Sequence, residues 1–199
     1  MKLQKILFIF SLLVAISLKA QTNSAPQVIP SIQQWEGKTG YFTFSENTPL
    51  VVDKNFPQLE SYISVFSNDL QSIYNFKAAV TLAQVKPQSV FFTLSSEAAI
   101  PEEGYRINID ENIIVTASST KGIFWATRTL LQMLENGGNR LPKGIINDFP
   151  MYSHRGFMLD VGRKFFTIDY LRDYIKILSY YKINEFQIHL NDNGFKVFL

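Results

Sequence analysis

The chain has 199 residues, of which 46% are hydrophobic and 18% are charged, and it contains no cysteine. This composition excludes a disordered chain, and the lack of cysteine excludes disulfide bonds, zinc–thiolate sites and a thiol nucleophile. The 19 basic and 17 acidic residues give a formal charge of +2, which is too small for the basic surface of a nucleic-acid-binding protein.

Residues 1–20 have the pattern of a secretory signal peptide. Lys2 and Lys5 precede an apolar run from Ile6 to Leu18, and Ala20 supplies a small residue where a signal peptidase would cut. A membrane span needs about 20 apolar residues, so this shorter run favours a signal peptide over the alternative of an uncleaved anchor. Cleavage would remove three lysines and no acid, leaving 16 basic and 17 acidic residues. We therefore expect a nearly neutral protein that is exported to the periplasm or the cell exterior, with no stable membrane span.

Residues 23–148 are predicted to form a small α+β domain. The segment 21–32, which overlaps the start of this range, is rich in proline and small polar residues and is predicted to be a tether. The predicted strands lie within 35–52, at 90–94, at 105–109 and at 113–117, and two amphipathic helices are predicted to begin near Pro57 and Lys121. This order favours one sheet with both helices on the same face. No cluster of acids, histidines or hydroxyls stands out, which indicates a structural role.

The composition changes after Pro150. Phe157–Val161 and Phe186–Leu190 are apolar runs of strand length, and between them lies a helical pattern that Thr167 would cap. The buried stripe of this helix is predicted to consist of Ile168, Leu171, Ile175 and Leu178. A strand, a helix and a strand at this spacing predict two parallel strands joined by a right-handed crossover.

Charged residues fall where these two strands end. Asp160 and Arg163 follow the first strand, and Asp192 follows the second. Functional groups of parallel α/β proteins lie at this edge, and neighbouring strands are about 4.8 Å apart, so we expect Arg163 and Asp192 to face one pocket. Arginine binds vicinal hydroxyls or a carboxylate, and a carboxylate accepts hydroxyl donors. An Arg–Asp ion pair that ties the two loops together is an equally good interpretation of the pattern.

The chain has two histidines. His189 lies inside the second predicted strand and is interpreted as a buried, hydrogen-bonded residue, and His154 is expected to pack at the junction of the two domains. Two histidines without cysteine offer little material for a transition-metal site, so no metal is predicted.

The residues from His154 to Asp192 closely resemble the opening of the catalytic barrel of glycoside hydrolase family 20, the β-N-acetylhexosaminidases. They read HRGFMLDVGRKFFTIDYLRDYIKILSYYKINEFQIHLND. The family pattern is an HRG-x-x-x-D-x-x-R-x-F strand, a helix and an N-x-x-x-x-H-x-x-D-D strand. Residues 104–134 resemble the end of the family's small N-terminal domain. The resemblance implies an α/β protein: the α+β domain, followed by the first two strands of a (β/α)8 barrel in residues 151–199.

The resemblance also implies a reaction. Such an enzyme removes terminal N-acetylglucosamine or N-acetylgalactosamine from β-linked glycans with retention of configuration and without a cofactor, using the substrate's own 2-acetamido carbonyl as the nucleophile. By position, Arg163 matches the family arginine that holds the C3 and C4 hydroxyls of the sugar, and Asp192 matches an acid that helps to orient the acid/base machinery. Asp160 matches an acid with a supporting role, and His154 and Arg155 match a structural junction motif.

Two departures from the family pattern bear on the site. Asn193 stands where the family has the second aspartate of a pair, and Gly162 and Lys164 flank Arg163 where the family often has a small residue and a histidine. These changes are expected to affect the choice of substrate rather than to abolish the reaction.

The resemblance covers only part of a barrel, which needs about 250 residues. The family's catalytic Asp–Glu pair is expected beyond Leu199, so the chain is expected to be a truncated hexosaminidase that is inactive alone, with residues 151–199 poorly ordered by themselves. One alternative is a non-catalytic, secreted carbohydrate-binding or scaffold module in which Trp35, Tyr41 or Tyr105 stacks on sugars. Another is a barrel glycosidase with a carboxylate nucleophile, which requires two separated carboxylates.

Overall fold

A computed structural model describes residues 21–96 and 100–191 of the chain. The predicted signal peptide (1–20) and the site residues Asp192 and Asn193 lie outside these ranges. Within them, none of the helices combines the length and the apolar character that crossing a bilayer requires.

The described residues form three α-helices and nine strands, and the strands are arranged in two sheets. The strands are β1 Gln34–Thr43, β2 Leu50–Asp53, β3 Val80–Ala83, β4 Val90–Leu94, β5 Tyr105–Ile109, β6 Ile113–Ala117, β7 Arg140–Asp148, β8 Gly156–Asp160 and β9 Glu185–His189. The helices are α1 Glu60–Tyr74, α2 Thr120–Gly137 and α3 Ile168–Tyr180. A seven-stranded sheet has the order β1-β7-β5-β6-β4-β2-β3, and β8 pairs with β9 in a separate sheet.

The N-terminal domain has the predicted arrangement, with α1 and α2 packed on one face of the seven-stranded sheet. Alternate residues of each strand point to this face, and the hairpin β5–β6 places Ile107 opposite Val115, both fully buried. Ser119 caps α2 by accepting a hydrogen bond from the backbone N–H of Gly122 at 3.3 Å. On the other helix, Phe66 meets Phe92 of β4 edge to face, with the ring centroids 6.1 Å apart.

The segment 21–32 is not a tether, which corrects the sequence prediction. Val28 is buried in the core, and the side chain of Gln132 binds the backbone of Ile29 in both directions. Asn136 also donates a hydrogen bond to the carbonyl of Gln27 at 2.6 Å. The prolines of the segment made it look like a linker, but contacts with α2 hold it against the domain.

Strands β3 and β7 were not predicted from the sequence. In β7, Pro142, Lys143 and Gly144 interrupt the apolar alternation that would have indicated a strand. The strand nevertheless forms because it lies between β1 and β5 and pairs with both in antiparallel fashion. Gly144 allows close packing there, since a Cβ on it would lie 2.2 Å from the indole of Trp35.

Strands β8 and β9 are parallel and α3 connects them, as the spacing predicted. Thr167 caps α3 by accepting from the backbone N–H of Tyr170 at 3.2 Å. The predicted buried stripe of α3 was mostly wrong: only Leu171 is buried, at 8% exposed, whereas Ile175 is 48% exposed and Ile168 is also exposed. Two strands are too narrow a surface to cover the whole apolar face of a helix.

Candidate functional site

The carboxyl ends of β8 and β9 lie side by side. The backbone N–H groups of Val161 and Gly162 both donate to the carbonyl of His189, at 3.0 and 3.2 Å, so the contact between the strands continues into the loops. A Cβ on Gly162 would lie 3.2 Å from the Cα of Asn191. Glycine at this position therefore lets the loop after β8 approach the residue that immediately precedes Asp192.

Asp160 shapes the loop that carries Arg163. Its Oδ1 accepts hydrogen bonds from the backbone N–H groups of Gly162 at 3.0 Å and Arg163 at 3.2 Å. Its Oδ2 lies 3.3 Å from Nε of Arg163. Two of the three predicted site residues are thus brought together, and Asp160 uses its carboxylate to hold the turn.

Arg163 itself extends into solvent, with its side chain 78% exposed. An ion pair this exposed contributes only about 0–1 kcal/mol, so Asp160 orients the arginine more than it immobilises it. Among the described residues, the guanidinium of Arg163 contacts no acceptor other than Asp160. The two terminal nitrogens of Arg163 therefore have donor capacity for hydroxyl or carboxylate oxygens of a ligand.

The histidines differ from the expectations. His154 is an exposed residue whose Nδ1 lies 2.8 Å from a carboxylate oxygen of Glu185, so the prediction that it packs in the junction is wrong. His189 is only half-buried in β9, and no described residue hydrogen-bonds to its ring. Among the described residues there is also no group of three or more His, Asp or Glu side chains arranged to hold a metal ion.

The aromatic residues of the alternative sugar-binding module are mostly occupied. Tyr105 is 3% exposed, which excludes it from stacking on a sugar, and Trp35 is half-buried against Gly144. Tyr41 is half-exposed, but the guanidinium carbon of Arg140 lies 4.3 Å from the centre of its ring. At most one ring face of Tyr41 is left for such a role.

Sequence reasoning missed a buried polar cluster at the opposite, amino ends of β8 and β9. Lys182 Nζ lies 3.0 Å from Asp148 Oδ2 and donates to the hydroxyl of Tyr105 at 2.7 Å. The Tyr105 hydroxyl donates in turn to Asp148 and contacts that of Thr129. Burial lowers the pKa of Lys182, an effect that Asp148 opposes, and burial together with Asp148 raises the pKa of Tyr105. A lone lysine between a helix and a strand gave no signal of this in the sequence.

A second set of contacts surrounds Arg155. Its Nε donates to the carbonyl of Lys182 at 2.7 Å, and its Nη2 forms an ion pair with Glu103. The Asn184 amide donates to the same carboxylate at 3.2 Å. Burial alone would raise the pKa of Glu103, but its bonds to Arg155 and Asn184 lower it overall. A cavity of about 450 Å³ between the two domains is lined by Arg155, Glu103 and Lys182 together with Trp125.

Comparison with known proteins connects both parts of the chain to one family. A profile described as Glycosyl hydrolase family 20, domain 2 matches residues 25–149, and one described as Glycosyl hydrolase family 20, catalytic domain matches residues 152–198. A β-hexosaminidase of Porphyromonas gingivalis is 27% identical over 91% of this chain, and a β-N-acetylhexosaminidase of Cellulomonas fimi is 35% identical over 57% of it.

Solved structures show the same likeness. A family 20 exo-β-N-acetylglucosaminidase of Vibrio harveyi, determined in complex with N-acetylglucosamine, superposes with a TM-score of 0.74 at 26% identity, covering 88% of this chain and 27% of its own. A β-N-acetylhexosaminidase of Bacteroides fragilis gives 0.67 at 29% identity, covering 82% of this chain and 32% of its own. The chain spans 25% of the length of the P. gingivalis relative and 24% of the C. fimi relative.

Proposed function

Because the chain belongs to glycoside hydrolase family 20, we propose that it forms the N-terminal domain and the first βαβ unit of a β-N-acetylhexosaminidase. We assign the activity to a longer polypeptide, since this chain covers 25% of the P. gingivalis relative and 27% of the V. harveyi structure. The substrates we propose are glycans that end in β-linked N-acetylglucosamine or N-acetylgalactosamine. Export to the periplasm or cell exterior is part of the proposal and is supported by the signal-peptide pattern of residues 1–20.

The observation that carries the proposal is the loop after β8. Arg163 extends from it with unused donors, and Asp160 fixes the turn through two backbone hydrogen bonds. A bidentate arginine suits two neighbouring hydroxyls, as at C3 and C4 of a hexosamine. Asp192, which follows Asn191 in the adjacent loop, is proposed to complete the same face and to support the acid/base machinery.

The proposed reaction proceeds with retention and with the 2-acetamido carbonyl of the substrate as the nucleophile, an exception to the usual use of two protein carboxylates. In this scheme the residues of the chain bind and orient the sugar. The acid that protonates the leaving oxygen belongs to the Asp–Glu pair that the family resemblance places outside these residues. Asn193 is proposed to alter the preference among substrates.

The test is hydrolysis of p-nitrophenyl N-acetyl-β-glucosaminide and of its galacto isomer by the 199-residue chain and by the chain extended through its downstream reading frame. We expect activity only in the extended protein. Absence of activity in an extended, folded protein with an intact Asp–Glu pair would contradict the proposed substrate, and activity of the short chain would contradict the placement of the acids.

Arg163→Ala in the extended protein tests the binding role. Loss of charged hydrogen bonds worth about 1.5–3 kcal/mol predicts a drop in kcat/KM of roughly 10- to 150-fold. Arg172→Ala is the matched control, because Arg172 forms an exposed pair with Asp169 on α3, and it is expected to leave kcat/KM unchanged. Equal effects of the two substitutions on kcat/KM would show that Arg163 does not bind the substrate.

A further inference from the structure

The two domains are joined at the amino ends of β8 and β9, at the opposite end of the sheet from Asp160 and Arg163. We propose that Lys182 anchors the amino end of β9 to the N-terminal domain through its buried ion pair with Asp148, and that this docking keeps β9 ordered as far as its carboxyl end. This role goes beyond the proposed reaction and does not depend on which sugar is bound.

The backbone of Lys182 supports this role. Lys182 has φ 61°, in the left-handed region that favours glycine, and a residue with a side chain is strained in this region. Glycine would relieve that strain at the turn between α3 and β9. A lysine there is consistent with a side chain that offsets the backbone cost through its contacts.

The acceptor for Lys182 is preorganised by the N-terminal domain. Asp148 Oδ1 accepts from the backbone N–H of Gln33 at 3.1 Å, and its Oδ2 accepts from the Tyr105 hydroxyl. That hydroxyl also lies 2.6 Å from the Thr129 hydroxyl on α2. The side chains of Lys182 and Asp148 are 9% and 7% exposed, so either charge without the other would be buried unpaired, which is strongly destabilising.

The docking extends from β9 to β8. The carbonyl of Lys182 accepts from Nε of Arg155, and the backbone N–H of Arg155 donates to the Asn184 side chain at 2.9 Å. Asn184 also contacts Glu103 of the N-terminal domain. His189, at the carboxyl end of β9, lies about 17 Å along the strand from Asn184, at about 3.3 Å per residue. The Arg163 side chain beside that end is exposed. The amino ends are therefore the fixed ends of this unit.

The test measures amide hydrogen exchange in the chain and in Lys182→Met, Asp148→Asn, the double variant and Lys176→Met. Lys176 is the control, because it forms an exposed pair with Asp173 on α3. We expect each single variant to raise exchange in 186–189 by about tenfold or more while 113–117 is unchanged, since a lone buried charge weakens docking. The double variant removes both charges and is expected to return to within about threefold of the parent.

Three results would overturn the proposal. Exchange in 186–189 that is unprotected in the parent chain would show that the docking does not hold. Equal loss of protection in 113–117 and 186–189 would show a general effect on folding. A double variant as damaged as the singles would show that the two charges are not coupled. Lys182→Arg, which keeps the charge, provides a further check and is expected to retain more protection than Lys182→Met.

Discussion

The side-chain amide of Gln132 pairs in both directions with the backbone of Ile29. Its Oε1 accepts from the Ile29 N–H at 2.6 Å, and its Nε2 donates to the Ile29 carbonyl at 2.8 Å. The same Nε2 donates to the carbonyl of Tyr180 at 2.9 Å, at the end of α3. One side chain of α2 therefore holds both the segment before the sheet and the last turn of the helix that belongs to the next domain.

Gln132→Leu is expected to lower the free energy of unfolding by about 1–3 kcal/mol, because it leaves partly buried backbone groups without partners. Urea denaturation followed by circular dichroism measures this. Gln71→Leu is the control, since the Gln71 amide donates a hydrogen bond to Asn75 at the surface and has no other side-chain partner among the described residues. If both substitutions had the same small effect, the bridge from Gln132 would contribute nothing to stability.

Acid is expected to weaken the domain junction through Glu103. Its pKa is lowered by Arg155 and Asn184 despite burial, so the folded state favours the ionised form. The stabilisation is complete above the usual value near 4.5 and is lost as the pH falls through the lowered value in the folded protein. Unfolding free energies between pH 6 and pH 3 are expected to decrease more steeply in the parent than in Glu103→Gln. Identical slopes would exclude Glu103 as a contributor.

Alkaline pH is expected to weaken the contact between α1 and α2. The Tyr74 hydroxyl donates to the carbonyl of Leu131 at 2.8 Å, and burial, with a smaller contribution from the charge of Glu135, raises the pKa of Tyr74 to about 12. The folded state thus keeps the proton more tightly than the unfolded state, whose tyrosines titrate near 10. Stability is complete below pH 10 and decreases between pH 10 and 12.

Tyr74→Phe tests this expectation. It removes the hydrogen bond and should cost about 1 kcal/mol at pH 8, but it also removes the titrating group. Urea denaturation at pH 8 and at pH 11.5 is therefore expected to show a difference between parent and variant that shrinks at the higher pH. A constant difference would mean that Tyr74 does not titrate differently in the two states.

The corrected burial of α3 can be tested by a pair of truncations. Leu171→Ala is expected to destabilise the βαβ unit by about 2–4 kcal/mol, because Leu171 is the buried side chain of the helix. Ile175→Ala, at an exposed position on the same helix, is expected to cost less than about 1 kcal/mol. Amide exchange in β9 measures both effects. A larger effect at Ile175 would contradict the exposed position of Ile175 and support the buried stripe predicted from the sequence.

Local pattern predicted much of this fold where a strand or helix is apolar on one side. The β5–β6 hairpin, the capped helix α2 and the parallel pair β8–β9 follow from alternation, capping residues and spacing. Strand β7 was missed because Pro142 and Gly144 hide its alternation, and its pairing depends on strands far away in the sequence. Among the site residues, the contact of Asp160 with Arg163 is local, and their position at a strand end could be foreseen.

The Lys182–Asp148 pair could not be foreseen for the same reason. Lys182 and Asp148 are 34 residues apart, and Tyr105 is 77 residues from Lys182. Nothing in the residues around Lys182 distinguishes it from a solvated surface lysine. Lys182 is buried only because the two domains dock there. Docking depends on tertiary contacts, which a local sequence pattern does not contain.

The order of the anchoring residues along the chain has a consequence for synthesis. Glu103, Tyr105 and Asp148 all precede Pro150, so the whole receiving surface can leave the ribosome and fold before β8 appears, as domains fold N-terminal first. When β8 and then β9 emerge, the binding partners of Arg155 and Lys182 would already be folded. The N-terminal domain would in this way act as a tethered template, shortening the time during which the apolar residues of the nascent βαβ unit are open to aggregation.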